Sequence, residues 1–137
     1  MIRAKAAIYS GCMTLLTEVG IGMERIERIV LAGGFGSYID LEKAMTLGLL
    51  PEVDPDRIHF IGNGSLLGAR MSALTNRIRY DVVEAIKNMT NFELSETPSY
   101  MSNYMAAMFI PHTDIEKFPR LRDRLEARKK LMASNLM

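Results

Sequence analysis

Apolar residues recur through residues 3–19 at near-helical spacing, at Ile8, Leu15, Leu16 and Val19, with alanines filling the start. This spacing predicts a helix, which Gly20 and Gly22 end. The pattern then changes. Ile29–Leu31 is a short unbroken apolar run, as expected of a buried strand, and it leads straight into Gly33-Gly34-Phe35-Gly36. Asp40 stands where an N-cap is needed for a helix from Leu41 to about Leu49, and Pro51 stops that helix. A polar loop, PEVDPDR, precedes a second short apolar run, Ile58–Ile61. A Gly-Asn-Gly turn follows, then a helix through about Thr75 with Ser65 as its candidate cap. Strand, helix, strand, helix over 29–75 predicts a parallel βαβ unit. Two strands this short do not make a stable sheet alone. Strands from this chain, from another copy or from a longer parent are expected to complete it.

Beyond residue 80 the pattern is less regular. Residues 81–89 read as helical, Phe92–Leu94 and Met108–Ile110 as candidate strands, and a helix is expected to begin near Pro98. Phe92, Leu94, Met108, Phe109 and Ile110 are the expected core of this part. The alternative is a docking surface, with Tyr100, Tyr104 and Met105 as adaptable contacts and His112 and Asp114 at a polar rim. Residues 120–132 form a charged helix with Leu121, Leu125 and Met132 on one side.

Composition narrows the function classes. At 48% hydrophobic and 24% charged residues the chain is globular rather than disordered. A net charge of +1 gives no electrostatic case for nucleic acid over the whole chain, although the last helix is locally basic. The single cysteine, Cys12, excludes an internal disulfide and any multi-cysteine metal site, and favours a reducing, cytoplasmic setting. No apolar run approaches the roughly 20 residues needed to span a bilayer, and no signal-peptide core stands at the start. A helical pattern already running at Ile2-Arg3-Ala4 with no cap suggests a piece of a longer chain.

The glycine turn at 33–36 has two readings. It is a tight strand-to-helix turn needing positive φ, or it is a place where a ligand lies against bare backbone. It is not a phosphate loop, because no Gly-Lys-Ser/Thr follows, and it does not complete G-x-G-x-x-G, because Ile39 stands at the last position. Gly62, Gly64 and Gly68 come nearer that fingerprint, with Asp81 at the distance of a ribose contact, but the last glycine is one residue late. His59, His112 and Cys12 do not have metal-ligand spacing.

The order of elements, with these residues, resembles the end of the actin/sugar-kinase/heat-shock-chaperone ATPase superfamily. IVLAGGFGSYIDLEKAMTLGLL is similar to its adenosine motif, and GSLLGARMSAL to a later helix with a Gly-Ala pair, here Gly68 and Ala69. With IRAKAAIYSG and FELSETPSYMSNYMAAMFIPHTDIEKFP, the resemblance narrows to the C-terminal part of the reductive activators of corrinoid proteins, over about residues 2–119. It implies an α/β fold: a βαβ-containing C-terminal subdomain of an actin-like (ribonuclease H-like) ATPase. Residues 1–119 would be that subdomain, with 92–119 a family-specific extension and 120–137 a charged C-terminal helix. It implies that Gly33, Gly34, Phe35 and Gly36 line the adenosine side of the nucleotide site, and that Gly68 and Ala69 permit close packing near the hinge. It further implies ATP with magnesium in the full-length protein, and a two-iron two-sulfur cluster in an N-terminal domain. The parent would convert cobalt(II) corrinoid to cobalt(I) on the corrinoid protein of a methyltransferase system. Expected partners are that protein, the remainder of its own chain and, in a homodimer, a second copy, with neither nucleic acid nor membrane. No catalytic or metal-binding residue is matched, so the chain alone is expected to be inactive. Alternatives are a fragment of a small-molecule kinase of the same superfamily and a nonenzymatic interaction module.

Overall fold

The computed structural model describes residues 1–34 and 36–134. Helix α1 spans Ile2–Glu18 and packs along α5, Pro98–Ala106. Its buried face is Lys5, Ala6, Tyr9, Ser10 and Thr14, whereas Ile8, Leu15 and Val19 are about half exposed. The small residues on the buried face let α5 approach closely, and Asn103 Nδ2 donates to Thr14 Oγ1 at 3.1 Å across the contact. This core contains Ala6, Tyr9, Ala107, Phe118 and Leu121, with Met13, Tyr104, Met108 and Ile115 packed against it.

A second core surrounds the sheet. Strands β1, Ile29–Leu31, and β2, Ile58–Phe60, are parallel, with Ile29 beside Ile58, Val30 beside His59 and Leu31 beside Phe60. Ala44 and Met45 of α2, Leu41–Leu47, bury against Ile58 with Leu50 and Val53, and Ile29 and Leu31 pack on that cluster. Asp40 caps α2 as expected, its Oδ1 accepting from the Lys43 backbone N–H at 3.0 Å. Gly48 ends α2 in the left-handed region at φ +73°. The other face of the sheet, Val30 and His59, is exposed, so the strands are buried on one side rather than two.

Helix α3, Gly64–Leu74, is capped by Asn63, whose Oδ1 accepts from Leu66 N–H at 3.0 Å; Ser65 already lies inside the first turn. Helix α4, Asn76–Lys87, starts before the expected position because Thr75 Oγ1 caps it from Arg77 N–H at 3.2 Å. No residue between 61 and 91 is buried. Helix α6, Pro119–Ser134, begins against Glu52, whose carboxylate accepts from the N–H groups of Arg120 at 2.6 Å and Leu121 at 3.2 Å. A carboxylate at a helix N-terminus satisfies orphan amides and suits the helix dipole.

Neither expected strand forms at 92–94 or 108–110. Leu94–Glu96 is a single 3-10 turn, and residues 107–111 make a loop with a cis Ile110–Pro111 bond. The loop's carbonyls turn toward one ammonium instead of toward a neighbouring strand. Lys5 Nζ donates to Ala107 O at 2.5 Å, to Pro111 O at 2.6 Å and to Phe109 O. Phe109 and Ile110 are thereby left outside the core at 61% and 58% exposure, while Phe92, Leu94 and Met108 are half-buried.

His112 is no rim residue. It is buried, with its ring centroid 5.4 Å from Tyr9 and 6.4 Å from Phe118. Its Nδ1 accepts from Asp114 N–H at 2.9 Å, so the neutral ring carries its proton on Nε2, which is buried without a partner among the described residues. Burial, then the nearby Lys117 charge, hold the His112 pKa below its ordinary 6.5, against a smaller opposing pull from Asp114. The unfolded chain therefore binds the proton more tightly. Stability present above about pH 6.5 is lost as pH falls through the folded value. His112→Phe is expected to remove this component. Chemical denaturation at pH 7 and pH 5 should show a smaller acid loss in the variant than in the wild type, with stability at pH 7 changed by about 1 kcal/mol or less. An equal acid loss in both would place the titration elsewhere.

Candidate functional site

The two glycine turns meet at the C-terminal ends of the parallel strands. Ile61 N–H donates to Leu31 O at 3.1 Å, continuing the ladder, and Gly33 N–H donates to Gly62 O at 2.6 Å. Gly33 at φ +102° and Gly62 at φ +62° both hold a backbone conformation that a Cβ disfavours. Gly36 is buried; a Cβ there would stand 3.3 Å from Leu31 Cβ and 3.6 Å from a Phe60 ring carbon. A Cβ at Gly64 would stand 3.3 Å from both Ala32 Cβ and Ile61 Cδ1.

Gly34 differs from all four. Its φ is not positive, and no atom among the described residues lies within 4 Å of the place its Cβ would take. Among the described residues neither backbone conformation nor packing requires glycine here. Its bare backbone faces open space outside the carboxyl ends of the strands, where ligands bind in open α/β sheets. Phe35 lies outside the described residues.

The acidic residue after the turn is used structurally. Asp40 Oδ2 lies 2.8 Å from Lys43 Nζ, and hydrogen bonding to Lys43 holds its carboxyl below the usual range. Gly68 and Ala69 lie exposed on α3, and a Cβ at Gly68 would meet open space. Asp81 sits within α4 rather than after a strand, which removes the dinucleotide reading of the second turn. His59 is exposed on the open sheet face, and Cys12 is half-buried with its thiol pKa raised by burial. Among the described residues no three His, Cys, Asp or Glu side chains gather to hold a metal ion. The arrangement can offer backbone and open space to a flat or polar ligand. Among the described residues it brings no acidic or histidine cluster there to hold a metal ion.

Sequence reasoning named the first turn and missed the contribution of the second. Gly62 and Asn63 fix the Gly33 amide and start α3 beside it. The signal was the Gly-Asn-Gly directly after an apolar run. Among the described residues no helix is long and apolar enough to cross a membrane.

Comparison with known proteins gives concordant results. The family described as the C-terminal domain of RACo, the ASKHA domain, matches residues 1–122. Corrinoid activation enzyme RamQ of Eubacterium limosum is 40% identical over 103 residues, which are 74% of this chain and 17% of RamQ. The [Co(II) methylated amine-specific corrinoid protein] reductase of Methanosarcina barkeri is 38% identical over 88 residues, 64% of this chain and 16% of that protein. A solved structure named reductive activator for corrinoid, iron-sulfur protein superposes with a TM-score of 0.81 at 44% identity, covering 87% of this chain and 19% of that one. The chain thus spans less than a fifth of the length of these relatives. With its match over residues 1–122, and 87% of its length aligned to a solved reductive activator, the chain belongs to the family of the C-terminal ASKHA domain of RACo.

Proposed function

We propose that this chain is the C-terminal part of an ATP-dependent reductive activator, and that Gly33, Gly34, Phe35 and Gly36 form the adenosine side of its nucleotide site. The parent protein would bring cobalt(II) corrinoid, held on the corrinoid protein of a methyltransferase system, to cobalt(I). The names of the relatives favour this over a small-molecule kinase of the same superfamily. Residues 1–119 would be the C-terminal subdomain, with 92–119 an extension particular to the activators. Magnesium, the phosphate-side residues and a two-iron two-sulfur cluster would be held by the remainder of a longer chain, in the cytoplasm. A second copy in a homodimer is a further candidate partner.

One observation supports the site assignment: among the described residues nothing requires position 34 to be glycine. A site built for an adenine ring or ribose supplies that reason, because any side chain would stand in the ligand's space. The same observation makes the test clean. Gly34→Val is expected to fold normally, with a stability change of about 1 kcal/mol or less. In the full-length protein it should weaken ATP and ADP binding about tenfold or more, equivalent to about 1.4 kcal/mol. Calorimetric titration of a folded Gly34→Val protein with undiminished nucleotide affinity would reject the role.

A further inference from the structure

His112 joins the loop clasped by Lys5 to the first core, and its hydrogen bonding there requires a neutral ring. Its Nδ1 accepts from Asp114 N–H at 2.9 Å, which only an unprotonated nitrogen can do. The residue before it, Pro111, gives its carbonyl to Lys5 Nζ at 2.6 Å. The residue after it, Thr113, donates its N–H to Ala106 O at 3.1 Å. The loop is thus closed by hydrogen bonds on both sides of a ring that is only 7% exposed. A proton on Nδ1 would set one donor against another at Asp114 and place a charge where Nε2 already has no partner among the described residues. That charge would meet the Lys5 ammonium from α1 and the Lys117 ammonium from the turn at Ile115–Lys117. The Asp114 carboxylate opposes this repulsion, but its Oδ1 already accepts from Glu116 N–H at 3.0 Å. Tyr9, whose pKa burial pushes up to about 12, stays neutral beside the ring, and Phe118 offers only its own ring.

We infer that His112 is a proton-operated latch on residues 107–114: neutral, it holds the loop closed under Lys5, and protonated, it releases the loop without unfolding the βαβ unit. The open loop frees the ring from its buried place, so it binds the proton more tightly than the closed one. The latch is therefore closed above about pH 6.5 and opens as pH falls through the depressed value of the closed state. Its release has defined consequences. Ile110 forms one wall of an apolar cavity of about 310 Å³ between α1 and α2, with Ile2, Ile8, Leu47 and Leu49. Opening removes that wall and uncovers the apolar surface behind it. It also withdraws the Pro111 backbone from Gly48, where α2 ends. The inference goes beyond the activator reading and does not depend on it.

The test is amide hydrogen exchange of the full-length protein between pH 7 and pH 5, read as protection relative to the intrinsic rate at each pH. Thr113 and Asp114 report the latch, because their N–H groups make the bonds that close it. Gly33 and Ile61, whose N–H groups bond Gly62 O and Leu31 O, report the βαβ unit. In the wild type, protection at Thr113 and Asp114 should fall about tenfold per pH unit below about pH 6.5, until the folded pKa is reached. Protection at Gly33 and Ile61 should hold. His112→Asn offers an acceptor oxygen in place of Nδ1 and does not titrate, and His112→Phe keeps a ring with neither acceptor nor charge. In both variants, protection at Thr113 and Asp114 should be the same at the two pH values. Wild-type protection that does not change with pH, or that falls as far in the variants, would overturn the latch. A parallel loss at Gly33 and Ile61 would also overturn it, because acid would then be unfolding the whole domain.

Discussion

Lys5→Met is expected to lower stability by about 3–4 kcal/mol, the largest effect of any single substitution considered for this chain. The side chain is only 5% exposed, and its ammonium is shared by the carbonyls of Ala107, Phe109 and Pro111. Burial pulls the Lys5 pKa below the ordinary 10.5, and the three carbonyl acceptors favour the charged form against that pull. Methionine keeps much of the stem's volume but donates nothing. Each carbonyl it leaves unsatisfied costs about 1–3 kcal/mol where water cannot reach, and less at Phe109, which is partly open. Some of that loss is offset because no charge need then be desolvated. Urea denaturation of the two proteins measures the difference directly. A loss under about 1 kcal/mol would mean that the loop finds other donors.

Gly48→Ala is the second large effect, at about 3 kcal/mol. Two costs add. The left-handed conformation at φ +73° costs a non-glycine residue about 1 kcal/mol. A Cβ would also stand 2.3 Å from Pro111 O and 3.0 Å from Pro111 C, which are backbone atoms held by the Lys5 clasp, so the loop must move at a further cost of about 1–3 kcal/mol. Gly20 supplies the control. It has a similar φ of +66° but no atom within 4 Å of a Cβ, so Gly20→Ala should cost about 1 kcal/mol. Equal losses at the two positions by thermal or chemical denaturation would refute the steric part.

The βαβ unit was legible because its punctuation is local. Apolar runs, Asp40 and the glycines each act within a few residues, and both strands and α2 fall near where those signals put them, with Gly48 rather than Pro51 ending α2. The part after residue 90 was misread because its organisation is not local. Met108–Ile110 has the composition of a strand, yet its backbone is claimed by a lysine more than 100 residues earlier in the chain. Likewise α6 takes its N-terminal cap from Glu52, and no reading of its own sequence could have found that. On α1 the apolar residues drew attention to the wrong face, since close approach of α5 selects small and polar side chains. At the candidate site the glycines were visible, but their separate reasons were not. Only φ values and the space around each one set Gly34 apart from Gly33 and Gly36.

The closure of the first core has a consequence for how the chain folds. Tyr9 near one end stacks on Phe118 near the other, 5.6 Å apart between ring centroids, and Ala6 is wholly buried in the same cluster. During synthesis α1 leaves the ribosome long before the residues that cover it. The βαβ unit, whose contacts are closer in sequence, can form first. The first core must wait for a long-range closure that is entropically costly and slow. A nascent chain halted before Phe118 would therefore carry an uncovered α1, exposed to proteolysis and aggregation.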